Sequence, residues 1–263
     1  MLEVTARGHR VRVAIDDGDP GRSPLLLMNG IGARLELLQP FVDRLDPGRP
    51  VIRFDVPGVG GSPAPRRPYR LWMLARTVAA LLDEVPVAGP VDVLGISWGG
   101  GLAQQFAFTQ SRHVRRVVLV ATSPGALSVP GSPWVLRHMV SRRRYTDPDY
   151  LTRIAGTIYG GTARIDPDIG ETMGSHRSPD GNRGYLMQLL GAAGWTSMPF
   201  LPRIKAPTLV LTGDDDPIIP RVNGRMMSSL IPDSRLHIYR GGHLALVTEA
   251  DALAPVIEDF LDS

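Results

Sequence analysis

A serine hydroxyl is a weak nucleophile until a histidine takes its proton and a carboxylate orients the histidine. Gly95-Ile96-Ser97-Trp98-Gly99 fits the pattern G-x-S-x-G. The strand-like run Val91-Asp92-Val93-Leu94 leads in, and Gly100-Gly101-Leu102-Ala103 leads out as the start of a helix. A serine on so sharp a strand-to-helix turn needs small residues two positions to either side, because the backbone there is strained and crowded. Gly95 and Gly99 meet that need. The chemistry such a serine performs is attack on a carbonyl carbon, with an acyl group carried transiently on its oxygen.

Six histidines compete for the role of base: His9, His113, His138, His176, His237 and His243. Only His243 follows the last strand-like run, in the loop Gly241-Gly242-His243-Leu244. Open parallel sheets gather their reactive groups at the carboxyl ends of strands, and Ser97 also follows a strand. The orienting carboxylate is sought in Gly213-Asp214-Asp215-Asp216-Pro217, at the end of the preceding strand. The spacing Gly213-x-x-Asp216, with Pro217 and Pro220 beyond, favours Asp216. Asp214 is the runner-up, and otherwise Asp214 and Asp215 read as solvated loop acids and helix caps. Acyl transfer also needs two N–H donors for the developing oxyanion. Trp98, the residue after the nucleophile, supplies one. Asn29-Gly30-Ile31-Gly32 supplies the other from Ile31, with Asn29 able to tie the loop down.

These residues need a sheet that brings three loops to one edge. Strand-like runs fall at 2–6, 10–15, 25–28, 51–56, 91–96, 114–121, 208–211 and 235–239. Helical periodicity fits 35–45, 70–85, 100–110, 222–230 and 253–261. The alternation predicts an α/β domain with a mostly parallel eight-stranded sheet and helices on both faces. Between Ser123 and Pro202 the rhythm breaks, and helical stretches fit 134–140, 149–158 and 185–193. That segment is too long for a plain loop. The expected organisation is a core of residues 1–122 and 203–263, with a helical cap at 123–202 over the mouth of the site. Trp134, Met139, Ile158, Tyr159, Met187 and Trp195 are candidates for the cap's substrate-binding wall. For each, plain packing inside the cap competes with that role.

Composition removes other classes. The chain has 263 residues, 43% hydrophobic and 21% charged, an ordinary globular balance. It has no cysteine, which excludes disulfides, thiolate metal sites and a cysteine nucleophile. The net charge is +3, and Lys205 is the one lysine among 29 basic residues. So even a balance gives no reason to expect a nucleic-acid partner. No stretch of 18 apolar residues predicts transmembrane anchoring. The N-terminal residues lack the apolar core of a signal peptide, so the expected location is cytoplasmic.

The motifs together resemble the α/β-hydrolase superfamily and, within it, the intracellular medium-chain-length poly(3-hydroxyalkanoate) depolymerases. The likeness runs over nearly the whole chain. It is carried by Asn29-Gly30-Ile31-Gly32-Ala33, the run 54–62, Gly95-Ile96-Ser97-Trp98-Gly99-Gly100, Ala103-Gln104-Gln105-Phe106-Ala107, Gly213-Asp214-Asp215-Asp216-Pro217 and Gly242-His243-Leu244. The run 54–62 is widespread among such folds. More specific are the cap motifs Arg143-Arg144-Tyr145, Thr157-Ile158-Tyr159-Gly160-Gly161 and Gly194-Trp195-Thr196-Ser197. The resemblance implies an α/β-hydrolase fold and the triad Ser97, Asp216 and His243, in the chain order typical of that fold. It also implies ester hydrolysis without metal or cofactor. The partner would be a polyester storage granule or a small ester, met in the cytoplasm or at the granule surface. Competing readings are a general carboxylesterase or lipase, a carbon–carbon bond hydrolase, and a granule-coating protein with vestigial catalysis. A complete triad and two oxyanion donors argue against the last. The oligomeric state stays open.

Overall fold

Unbroken apolar runs such as Leu25-Leu26-Leu27-Met28 are stable as strands only where both faces are covered. The computed structural model, which describes residues 1–87, 89–139, 141, 143, 147–166, 168–175 and 182–263, has that arrangement. Its strands are β1 (Leu2–Ala6), β2 (His9–Asp16), β3 (Leu25–Met28), β4 (Val51–Phe54), β5 (Val91–Ile96), β6 (Val114–Val120), β7 (Thr208–Gly213) and β8 (Ser234–Tyr239). They form one sheet in the order β1-β2-β4-β3-β5-β6-β7-β8. The first hairpin is antiparallel, and β2 pairs antiparallel with β4. Every other pairing is parallel.

The core helices are α1 (Gln39–Val42), α2 (Leu71–Glu84) and α3 (Trp98–Thr109). The segment after β6 holds α4 (Pro133–Met139), α5 (Pro148–Tyr159), α6 (Asp168–Ser175) and α7 (Asn182–Ala192). After β7 come α8 (Val222–Leu230), α9 (Ala245–Thr248) and α10 (Ala250–Asp262). Alternate strand residues feed two cores. Leu26, Val93, Val117 and Leu119 pack with α2 and α3 on one face. Leu25, Leu94, Val118 and Val120 pack with Phe41 and α10 on the other. The helix expected over 35–45 is instead a 3-10 turn, Leu35–Leu38, followed by the short α1. Pro40 lacks the N–H that a continuous helix would use and sits in the first turn of α1, where none is needed.

The loops at the carboxyl edge are braced by buried polar groups. Asp55, just after β4, accepts the N–H groups of Leu35 and Gly61, each at 2.8 Å. Arg12 donates to the same carboxylate at 3.1 Å. Burial pushes the Asp55 carboxyl up from its ordinary pKa, against the pull of these donors.

Residues 123–202 begin and end together. Gly125 pairs with Thr196 in an antiparallel bridge, and the Ser197 N–H donates to Pro124 O at 3.0 Å. Between these ends Val135, Leu151, Ile154, Ile158 and Tyr159 form a third apolar cluster. Ile218 and Leu244, from the loops after β7 and β8, belong to the same cluster, so this segment packs on the carboxyl edge of the sheet. The sequence pattern had not suggested α6, where Gly170 and Gly174 interrupt the apolar period. Arg144, Tyr145 and His176 lie outside the described residues. Among the described residues no helix is long and apolar enough to cross a membrane.

Candidate active site

Ser97 stands between β5 and α3 at φ +54° and ψ −121°, a conformation that side chains other than glycine rarely adopt. Its surroundings hold it there. The Ser97 N–H donates to Val120 O at 2.9 Å. The Thr122 hydroxyl donates to the Ser97 carbonyl at 2.6 Å. A side chain at Gly99 would run into the carbonyl oxygens of Met28 and Asn29. One at Gly95 would lie 2.7 Å from Ala103 Cβ. The glycines that identify the motif are therefore demanded by the contact between α3, β5 and the end of β3.

The hydroxyl faces His243, whose Nε2 lies 2.9 Å from Ser97 Oγ. His243 Nδ1 lies 2.8 Å from Asp216 Oδ2. An ionised carboxylate can only accept, so Nδ1 carries the hydrogen and Nε2 accepts from the serine. The other oxygen of Asp216 accepts the N–H groups of Ile218 and Ile219, each at 2.9 Å. Pro217 has no N–H, and the chain passes through it to the two that follow. Both Asp216 and His243 are buried.

Asp214 and Asp215 are not merely solvated. Asp214 accepts the Gly241 N–H at 3.0 Å and so braces the loop that carries His243. Asp215 accepts the Gly161 N–H at 2.7 Å and pairs with Arg164 at 2.7 Å. That guanidinium holds the Asp215 carboxyl below the usual carboxylate range. From the same region beside α5, the Tyr159 carbonyl accepts the backbone N–H of His243 at 2.7 Å. The acid–base loops are thus fastened to the segment after β6. Tyr239 lies behind them and donates to Gly242 O at 3.3 Å, and burial pushes its phenol well above its ordinary pKa.

The loop after β3 closes the site. A Cβ built on Gly30 would be 3.7 Å from Ser97 Cβ. Asn29 is buried and donates to Arg34 O at 2.7 Å, and its oxygen accepts the Gly30 N–H at 3.3 Å. Among the described residues no acceptor engages the backbone N–H of Ile31 or of Trp98, which leaves both to a ligand.

Two cavities open on Ser97. One is lined by Asn29, Ile31, Met139, Tyr159, His243 and Leu244. The other, of about 190 Å³, is lined by Leu71, Trp98, Thr122, Ala126, Trp195 and Ile219. Tyr159 and Trp195 therefore stand at the site. Ile158 does not: it is fully buried in the third apolar cluster. Trp134 does not either: it is exposed and its ring lies against His138, centroids 3.9 Å apart and planes tilted by 50°. Gln188 and Thr122 had no signal in the sequence, for a lone amide or hydroxyl in an apolar stretch has many other uses. Among the described residues no three acidic, histidine or cysteine side chains are grouped as metal ligands would be.

A serine on a strand-to-helix elbow, with a histidine and an aspartate delivered by the last two strand ends of a mostly parallel sheet, defines the α/β-hydrolase class. The chain belongs to the alpha/beta hydrolase fold family, whose model matches residues 23–164. It is 51% identical over 251 residues to a poly(3-hydroxyalkanoate) depolymerase of Ectopseudomonas oleovorans, covering 95% of this chain and 88% of that one. It is 26% identical to a 3-oxoadipate enol-lactonase 2 of Acinetobacter baylyi, over 92% of this chain and 89% of the other. Among solved structures, the enol-lactonase from Burkholderia xenovorans LB400 superposes with a TM-score of 0.85 at 25% identity, covering all of both chains.

Proposed function

We propose that this protein is a serine hydrolase that cleaves the ester bonds of poly(3-hydroxyalkanoate), preferring medium-chain side chains, through an acyl intermediate on Ser97. The observation that carries the reading is the unbroken line Ser97 Oγ–His243–Asp216, at 2.9 and 2.8 Å, in a chain half identical to a depolymerase along almost its whole length.

Ser97 Oγ attacks the ester carbonyl carbon while its proton passes to His243 Nε2. Asp216 holds the ring and stabilises the imidazolium. The carbonyl oxygen becomes an oxyanion held by the Ile31 and Trp98 N–H groups. His243 then gives its proton to the departing alkoxide, which leaves as a 3-hydroxyl end. Water, deprotonated by the same histidine, releases the acid and restores Ser97. Of the two cavities, His243 lines the one that holds Met139 and Tyr159, so the alcohol side of the substrate belongs there. The acyl side then lies along Trp98 and Trp195. Walls of this kind suit alkyl-bearing monomers better than charged ones.

In this reading residues 123–202 form a lid. Leu186, Leu189 and Leu190 share one face of α7 and are exposed, as is Trp134. A solid granule would meet that apolar surface first. The reading places the protein in the cytoplasm, at the surface of such granules.

Incubation with amorphous granules of medium- and short-chain polymer tests this directly, with the released acids identified. Release of medium-chain 3-hydroxy acids by wild type and none by Ser97→Ala is expected. Turnover of p-nitrophenyl esters that granules do not compete away, with no acid released, would put a general carboxylesterase in its place.

A further inference from the structure

Helix α7 turns exposed leucines outward and the amide of Gln188 inward. Gln188 is 1% exposed, and a buried amide is unfavourable unless its polar atoms are bonded. Its side-chain oxygen accepts the Gly32 N–H at 2.7 Å. Its backbone carbonyl accepts the indole N–H of Trp98 at 3.0 Å. These two partners belong to the two halves of the oxyanion site. Gly32 adjoins Ile31, and Trp98 is the residue after the nucleophile. Gly32 also sits at φ +71°, where a residue without Cβ swings freely unless something fixes its peptide. Within the loop, Asn29 secures the end before Gly30 and the carbonyl of Arg34, and the Ala33 N–H closes the turn on Gly30 O at 3.2 Å, which leaves the Gly32 N–H to Gln188.

We infer that Gln188 is the positioning residue of the oxyanion hole, and that the hole is complete only while α7 is seated on the core. This rests on the reading of Ile31 and Trp98 as the oxyanion donors. Gln188 itself touches no reacting atom. Its amide aims the Ile31 donor by holding the neighbouring peptide, while the Trp98 N–H lies on the peptide whose carbonyl Thr122 holds. Displacing α7 releases the Ile31 side and leaves the Trp98 donor held by the core, so the oxyanion then meets one fixed donor instead of two.

The test compares wild type, Gln188→Met and Ser97→Ala on a short p-nitrophenyl ester. Methionine keeps the length and bulk but cannot accept from Gly32. Donor misplacement raises the barrier and leaves ground-state binding alone. Loss of one donor outright costs about 10²–10³ in rate, so loosening one should lower kcat about 10–100-fold with KM within about twofold. An alkyl boronic acid adds to Ser97 Oγ and places a tetrahedral oxygen in the hole. Its affinity should weaken by the same factor as kcat, with the thermal midpoint little changed. Should Q188M fail to fold, Gln188→Asn keeps a buried amide but shortens it out of reach of the Gly32 N–H, and a loss of the same kcat-only kind is expected. A folded Q188M with wild-type kcat and boronate affinity overturns the inference, as does a loss confined to KM or to stability. A wild type whose hydrolysis does not depend on Ser97 would instead remove the reading of the site beneath it.

Discussion

Ser97 and His243 are 2.9 Å apart, yet they are held in different ways. The serine is fixed from within the core. Backbone crowding at Gly95 and Gly99, the Val120 carbonyl and the Thr122 hydroxyl leave its turn no other arrangement. The histidine sits in a loop clamped from both sides. Asp216 and Asp214 hold it from the end of β7, and the Tyr159 carbonyl with the Asp215–Arg164 pair holds it from the segment after β6. The turn of the nucleophile is thus fixed by the core, and the loop of the base is fastened to the segment after β6 as well. A change in residues 123–202 would therefore be felt at the base and at the loop after β3 before it is felt at the nucleophile.

The nucleophile side is the place to look for the largest effect. Ser97→Ala should lower kcat by about 10⁶-fold, as loss of the serine does in comparable triads. It should leave unfolding unchanged, because the methyl group fits the same turn and Oγ makes no bond that supports the fold. Stopped assays with a soluble ester, together with a thermal melt, check both halves. Near-normal turnover by a folded S97A protein would remove the triad from the argument.

On the base side the three adjacent acids separate. Asp216→Asn should cost about 10⁴-fold in kcat, since the amide permits the wrong histidine tautomer. Asp214→Asn keeps an oxygen for the Gly241 N–H and should cost far less. Steady-state kinetics on the two variants decide between them. If D214N were the crippled one, the orienting role would pass to Asp214, against the hydrogen bond seen here.

This division also explains what could be read from residue types. Gly95, Ser97 and Gly99 are legible because close backbone contact leaves no other choice. His243 and Asp216 are legible because parallel strands deliver their loops to one edge. The cap side is not, since Tyr159 and Gln188 act partly through backbone carbonyls that any residue possesses. Ile158 and Tyr159 are adjacent and both apolar, but only the turn of α5 decides that one fills the cap core and the other borders Ser97. Trp134, a candidate for the substrate wall, lies with its ring tilted against His138 instead. Pro40 and the pair Gly170 and Gly174 show the same limit for helices: period alone missed one break and one short helix.

The granule reading gives the next effect in size. Replacing Leu186, Leu189 and Leu190 together by serine removes an exposed apolar face without touching either cavity. Acid release from granules should fall about tenfold or more, while kcat/KM on a soluble ester stays within about twofold. Each buried leucine is worth on the order of 2 kcal/mol, so burial of even part of three supports that loss. Equal losses on both substrates would place these leucines in folding rather than docking.

The smallest effect concerns the clamp itself. Asp215 and Arg164 are each about half exposed, and an exposed ion pair contributes only about 0–1 kcal/mol. Asp215→Asn keeps an oxygen for the Gly161 N–H and loses the charge together with one of the two hydrogen bonds from Arg164. Its kcat should therefore drop by no more than about threefold, and the drop should shrink in high salt as the pair is screened. The sign with pH follows from the lowered carboxyl of Asp215. A carboxylate with a depressed folded pKa stabilises the fold above its unfolded pKa, and that contribution is lost as pH falls through the folded value. The gap between the thermal midpoints of wild type and D215N should thus be present at neutral pH and vanish in acid, below the ordinary carboxylate range. A gap that persists in acid would mean that the carboxylate acts through packing or hydrogen bonding alone. The charge would then have no part in fastening the His243 loop to the cap.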